Sequence, residues 1–548
     1  LKSKGLHNRR LTLMDAITQT ISEIPTPPSS ADPNRFDERA NPFLRALPNL
    51  GVELNAFIPQ ANALATGVSA TALEVAEAAE DVAAAAAIAV PAAETAVVKA
   101  ASASASEAVA AAKAAEAGGY AQDAKLYAEN AGVMPAMRDT LGVFPGVIQP
   151  ALNLFCGDAT SDVVPIGAFG RSTGAYRVGQ TGLLEWVATG SVRREWGADG
   201  SLLGWLPEGQ RTNLVLQSND FSQWTKNGCT VTVDATAGPS DATEADKLVE
   251  DNSNGQHYLM PPSAAIGAVE MVYSVYAKAG ERTVLALVLS DSVTSVIEAR
   301  YDLVTGVASV ATAMSPWTNV VVEIEKLAGG WFRCILRAQK GQGTQASPIL
   351  YPIVDGVSNY QGVVGNGLYI WGAQLEEGTF PTSFIPTATA AATRPPDVWT
   401  IPTSAFPFNA SEGTLFATAR TAAGLPTVNQ TIAIIDNGSW NDFVTVFRSS
   451  DGTVYCAIAR SGVVSQLAIG VVADNTLLRV ATAFDGATLR CCLNGGAVVS
   501  VASGEPVGVT TLRVGHSLEA SNSWDGCISH LAEWPVALSD SGLQAITA

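Results

Sequence analysis

The chain has 548 residues, of which 47% are hydrophobic and 15% charged, with a formal net charge of −19. That length predicts several domains rather than one, and the acidity excludes a nucleic-acid partner, because phosphate binding requires a basic stripe. No run of about 18 strongly apolar residues is present, which excludes membrane insertion through a helix; the apolar stretch 82–90 is mostly alanine.

Residues 1–13 carry Lys2, Lys4, Arg9 and Arg10 without an apolar core behind them, unlike a signal peptide. Leu1 implies either a non-AUG start or a true start at Met14. The segment 24–33 (IPTPPSSADP) is extended or laid along another protein, and Phe36, Phe43 and Phe57 are either anchors into a partner or a small local core. Residues 1–60 are thus read as an attachment segment.

Between residues 61 and 133 alanine dominates, the best helix former. Val68, Val75 and Val82 are seven apart, and Val90 and Val97 repeat that spacing in a shifted frame. A helix with that stripe hides its valines only by oligomerising, so a coiled-coil stalk is expected, kinked at Pro91. The alternative is a disordered alanine-rich linker.

Residues 134–212 change to short alternating runs separated by glycine, the pattern of β-hairpins, and are read as a β neck or connector. In Gly204–Trp224 the charged residues Glu208 and Arg211 are three apart, and a structural ion pair is expected of them rather than catalysis. Longer alternating strands follow in 213–394, read as Val269–Ala277, Thr283–Leu289, Ile297–Tyr301, Val320–Ile324 and Trp331–Leu336, and further strands in 395–548, the two regions separated by the Ala/Thr/Pro-rich stretch 387–396, which reads as a linker. The fold class expected is therefore multidomain: an N-terminal α-helical coiled-coil stalk, a mainly-β neck and two antiparallel β-sandwiches.

The wording of the neck, with Arg171, Ser172, Ala175, Tyr176, Gly182, Leu183, Leu184, Arg193, Gly204, Leu206, Glu208, Gly209, Arg211, Thr212, Asn213 and Leu214, resembles a pattern recurrent in phage and prophage tail proteins. It departs mildly at Trp205-Leu206-Pro207, where aliphatic residues are usual. Residues 29–57 look like the start of phage tail-fibre proteins. The stretch from Asn213 to Trp224, with its closing counterpart Leu368–Leu375, is similar to jelly-roll carbohydrate-binding modules, and 395–548 resembles concanavalin A-like or laminin-G-like domains.

These resemblances imply a virion appendage assembled in the host cytoplasm. It would be a homotrimer, bound to other tail or head proteins through its N-terminus and to host surface polysaccharide further out. They also imply sugar-facing residues: Trp224, Tyr258, Trp317, Tyr360 and Trp371 in the first sandwich, with His257 and Tyr351 beside them, and Trp440, Asn441, Asp442 and Trp524 on the rim of the second, with Asp436, Asn437 and Asn522 beside them. Asn219, Asp220 and Glu376 are the oxygen donors for a structural calcium of the kind such modules carry.

Seven cysteines at irregular spacing, without a CxxC, disfavour zinc and a disulfide framework and predict packed free thiols. No HExxH, GxSxG or phosphate-binding loop occurs, and the Glu-x-Asp-x-x-Glu strand of one concanavalin-like glycosidase family is missing. A non-enzymatic receptor-binding fibre is expected. The alternatives are a glycan-depolymerising tailspike and a head decoration without a receptor role.

Overall fold

The computed structural model describes residues 137–139, 142–144, 147–158, 164–291, 295–520 and 522–548, with single helical positions at 63, 67 and 75. The expected attachment segment 1–60 and, apart from those three positions, the stalk 61–133 lie outside the described residues, as does, except for Val75, the heptad stripe from which oligomerisation is expected. Among the described residues no helix is long and apolar enough to cross a membrane. All seven cysteines are buried, and none is in a disulfide.

The described residues from 147 onward form two antiparallel β-sandwiches. In the first, a six-stranded sheet runs in the order Thr318–Lys326, Trp331–Gln339, Glu270–Lys278, Gly367–Glu377, Thr243–Glu250, Cys229–Ala237. It faces a seven-stranded sheet built on Val307–Ala313, Val296–Asp302, Val284–Ser290, Gln345–Pro352, Tyr258–Met260 and Thr225–Asn227, with Ala264–Ala265 at its margin. Strand polarity follows the residues. In Val284–Ser290, Leu285, Leu287 and Leu289 enter the core between the sheets, while Ala286 and Val288 lie on the outer face under Tyr351. Each buried leucine contributes about 1.5–3 kcal/mol, so truncating Leu287 is expected to cost about 2–5 kcal/mol.

The second sandwich pairs a sheet in the order Val499–Ala502, Thr488–Leu493, Leu477–Phe484, Gly413–Arg420, Cys527–Trp534, Leu202–Trp205, Arg194–Trp196 with one in the order Ala168–Gly170, Val398–Pro402, Thr511–Val514, Gln430–Asp436, Phe443–Arg448, Thr453–Arg460, Val463–Val471. The helix Asp540–Thr547, capped by Ser539 Oγ accepting from Gly542 N, closes the first of these sheets.

Most of the strands expected to form a separate neck extend this second sandwich, whereas the hairpin of Ala175–Val178 and Leu184–Val187 forms its own two-stranded sheet, packed on the first sandwich through Tyr176 and Leu184 against Trp371. Leu152–Phe155 and Leu202–Trp205 both pair with Cys527–Trp534, in the registers Leu152↔Glu533 and Trp205↔Ile528, and Ala168–Gly170 pairs with Val398–Pro402. The first sandwich is thus inserted into the second. The chain leaves and returns through a two-stranded ladder, Arg211–Asn213 against Ala392–Arg394. Stretch 387–396 is therefore no free linker: its C-terminal part is a strand, and Arg394 is buried. Asn213 locks the exit. Its Nδ2 donates to Ala373 O and Ile385 O, and its Oδ1 accepts from Val215 N and Leu375 N, so the amide is fully used.

Beside the ladder lies a buried ionic network. Arg193 donates to Glu208 Oε2 and Asp397 Oδ2, both at 2.5 Å; Arg171 reaches Asp397 Oδ1 at 2.8 Å, and Arg394 reaches Glu208 Oε2 at 2.7 Å. Ser383 N and Oγ complete Glu208. Burial alone would lower Arg193 and raise Glu208. The facing charges outweigh it, so the arginine is raised and the carboxyl lowered from their ordinary values. The expected Glu208–Arg211 pair does not form, because the strand Arg211–Asn213 turns Arg211 toward Glu376 and the Phe380 ring.

Candidate functional site

Sugar recognition needs an exposed aromatic plane beside polar groups, and burial decides which aromatics offer one. Of the eleven tryptophans, two are exposed, Trp186 at 53% and Trp440 at 43%; the other nine are buried. Most of the sugar-facing set is core, a correction to the sequence expectation. Trp224 packs on Phe221 and donates to Gln217 O. Trp317 lies in the first core, and Trp371 is enclosed by Tyr176, Tyr276 and Phe384. Tyr360 is buried with its hydroxyl on Glu250, and Trp524 is buried with Nε1 on Arg420 O. His257 is buried under Tyr360. Most of these rings occupy the inward positions of strands or the corners that seal them, whereas Trp371 lies on the outer face of its sheet and is covered there by Tyr176 and Phe384.

Trp440, Asn441 and Asp442 are brought together. They lie on the turn between Gln430–Asp436 and Phe443–Arg448, whose sequence NGSWND supplies the bends. Gly438 N donates to Asp436 Oδ1 (2.7 Å), Ser439 N to Asn437 Oδ1 (3.0 Å), and Asn441 N to Ser439 Oγ (3.2 Å), while Gly438 takes φ +82°. Asp436 is held by Arg513 Nε at 2.6 Å.

Asp442 is a fastener. Its Oδ1 accepts from Ser461 N (3.0 Å) and Val507 N (2.9 Å), and its Oδ2 from Asn437 Nδ2 (3.3 Å). One buried carboxylate thus joins three loops, and Gly462 N adds a bond to Asn441 O. The Trp440 ring meets Phe443 edge-on at 5.7 Å and leaves its remaining surface open.

Next to this turn runs a groove of about 410 Å³ lined by Arg460, Ser461, Ser465, Ser503 and Gly504, with Ile458, Val463 and Ala502 as its apolar part. The Arg460 side chain is half exposed, 3.8 Å from Glu505. Ser503 Oγ is buried and has no hydrogen-bond partner among the described residues. A Cβ at Gly504 would approach Arg460 Cδ to 2.7 Å, so a larger residue there would push the arginine side chain aside. The rim therefore offers an aromatic plane, hydroxyls, an amide and an opposite-charge pair on a rigid frame.

No protein-family model matches the chain, and no curated protein matches it. Solved structures match in part. The CBM40 of the Ruminococcus gnavus IT-sialidase bound to alpha2,6 sialyllactose is 15% identical, over 26% of this chain and 85% of its own, with a TM-score of 0.23. The NanB sialidase from Streptococcus pneumoniae is 13% identical, over 25% of this chain and 24% of its own, with a TM-score of 0.22. A SAP-like pentraxin from Limulus polyphemus is 16% identical over 25% of this chain and 69% of its own, with a TM-score of 0.20. At these scores no ligand transfers to this chain.

The remaining predicted residues do not join the rim. Asn522 and Trp524 lie by Thr431, at the opposite end of the strand Gln430–Asp436 and about 20 Å from Trp440 at roughly 3.3 Å per residue. Tyr258 is half-buried on the outer face of the seven-stranded sheet, with Tyr351, whose hydroxyl donates to Glu298. The three calcium donors do not converge. Asn219 accepts from Gly372 N, Asp220 from Ser222, and Glu376, four residues further along that strand, is taken by Thr382 and Gln374. Among the described residues no group of three or more His, Cys, Asp or Glu is placed to hold a metal. Sequence reading missed Arg460, which the ladder Phe443↔Ala459 and the Asp442 bonds bring beside the turn, and Trp186, whose exposure no local signal shows.

Proposed function

We propose that the chain is a phage tail fibre that binds host surface glycan through the three-loop rim of its second sandwich, without cleaving it. The observation that carries this reading is Trp440, an exposed ring on a turn whose every bend is hydrogen-bonded, beside a groove lined by hydroxyls. A sugar stacks its apolar face on such a ring and gives its hydroxyls to Ser461, Ser465 and the Arg460–Glu505 pair. The virion role is supported by the wording of residues 29–57 and of the neck. Non-catalytic binding is supported by the rim's carboxylates: Asp436 and Asp442 are committed to Arg513 and to backbone amides, leaving Glu505 without the second carboxylate that glycoside hydrolysis requires. Three copies in a trimer would raise avidity from shallow single sites.

The test is a panel of bacterial surface polysaccharides incubated with the full chain. Retention of one of them without new reducing ends is expected. Release of oligosaccharide would show a depolymerase, and binding that survives removal of Trp440 would move the site elsewhere.

A further inference from the structure

A larger cleft, about 760 Å³, opens where the two sandwiches meet. Its walls include Gln210, Arg211 and Thr212 from the connecting ladder, Glu270 and Gln339 from the first sandwich, and Thr427 from the second. Arg211 is the unusual member. Its guanidinium lies 5.1 Å over the Phe380 ring, and only 21% of the side chain is exposed. Its one hydrogen bond is a long contact from Nη1 to Gln210 O at 3.4 Å. Glu376 is 3.9 Å away, with both oxygens occupied by Thr382 and Gln374. All but one of its N–H donors therefore lack a partner among the described residues, and Nε is buried. Gly378 leaves room for this placement, since a Cβ there would come to 3.2 Å from Nη2.

A planar guanidinium held against a ring, with open donors facing a cleft, matches a carboxylate in fork geometry. The rest of the lining selects further. Glu270 and Glu377 also face the cleft, and carboxylates repel a polyanion but accept hydroxyl protons. Gln210, Thr212, Gln339 and Thr427 are hydroxyl and amide partners. We propose that this cleft is a second binding site, separate from the rim, for an oligosaccharide carrying a single carboxylate, with the acid on Arg211 and the hydroxyls on Glu270, Gln339 and Thr427. Its volume lies within the ~300–1,000 Å³ of ligand sites.

Calorimetry of the full chain with cellobiouronic acid, which has one carboxylate, against neutral cellobiose tests this. The acid is expected to bind at least ten times more tightly. Arg211→Gln should bring it down to the level of cellobiose, and Thr427→Trp, which fills the cleft from the facing sandwich, should abolish binding of both. Equal affinity for the two sugars, no binding of either, or a preference that survives Arg211→Gln overturns the proposal. If Arg211→Gln does not fold, Thr427→Trp decides: unchanged affinity for the acid overturns it.

Discussion

Arg193 and Asp397, 204 residues apart in the chain, meet through a 2.5 Å contact between Nη2 and Oδ2 inside the joint of the two sandwiches. Arg193 comes from the segment leading into Arg194–Trp196, before the inserted sandwich, and Asp397 follows that sandwich. The contact therefore closes the loop that contains the whole first sandwich. Glu208 and Arg394 repeat the closure one step nearer the ladder. Two carboxylates face three guanidiniums here, and each carboxylate contacts two of them, Asp397 holding Arg171 and Arg193 and Glu208 holding Arg193 and Arg394.

Removing one of these carboxylates strands charge in a desolvated place. Asp397→Asn and Glu208→Gln are each expected to cost about 3–5 kcal/mol of stability, read as a lower midpoint in urea. The exposed pair Arg460–Glu505 is the control, and Glu505→Gln should cost about 0–1 kcal/mol. Equal effects at the two places would show that the joint does not carry the coupling.

At the rim, Trp440→Ala removes the stacking plane together with one edge-on contact to Phe443. Glycan affinity should fall about tenfold or more, that is ~1.4 kcal/mol or more, while stability falls by only about 0.5–1 kcal/mol, the worth of one aromatic pair at a half-exposed ring. Asp442→Ala should lose binding and stability together, at about 1–3 kcal/mol, because Ser461 N, Val507 N and Asn437 Nδ2 all lose their acceptor. Parallel binding curves and melts for the two variants separate a contact residue from a fastening residue.

The strands of the first sandwich were legible because alternation marks them. Val269–Ala277, Thr283–Leu289 and Ile297–Tyr301 read from the residues match Glu270–Lys278, Val284–Ser290 and Val296–Asp302 to within one residue at each end. The insertion was not legible. It depends on pairings such as Leu152↔Glu533, and nothing local in LNLF names a partner so distant. Aromatic exposure was legible only where turn residues fix it. NGSWND places Trp440 on a turn, whereas Trp371 stands in the continuous apolar strand Gly367–Glu377, where either face could be core. Glu208 and Arg211 misled because spacing in a loop does not set direction; the ladder pairing Arg394↔Arg211 does.

Calcium gives a simple thermal test. Asn219, Asp220 and Glu376 already have internal partners and lie apart, and calcium requires about six or more oxygens around one point. Melts in EDTA and in added calcium are expected to superimpose. A calcium-dependent rise in Tm would mean that these loops rearrange around the ion.

Glu533 predicts an unusual pH dependence. Its pairing with Leu152 and Leu415 places it among core residues between the sheets of the second sandwich. Neither carboxyl oxygen has a hydrogen-bond partner among the described residues, and burial pushes the group up to about 8 from an ordinary 4.5. Between those values the folded chain holds a proton that the unfolded chain has released. Stability is then fullest below about pH 4.5 and falls as pH rises toward 8, with a slope of about 1.4 kcal/mol per pH unit for one proton. Glu195, pushed to about 8 chiefly by its own burial, adds a slope of the same sign, so the comparison must be between variants. Glu533→Gln keeps the shape and removes the titration. It should match the parent near pH 4 and become progressively more stable than it from pH 5 to pH 8. Urea unfolding at four pH values measures the difference, and parallel stability curves for parent and variant would show that Glu533 finds a partner or solvent in solution.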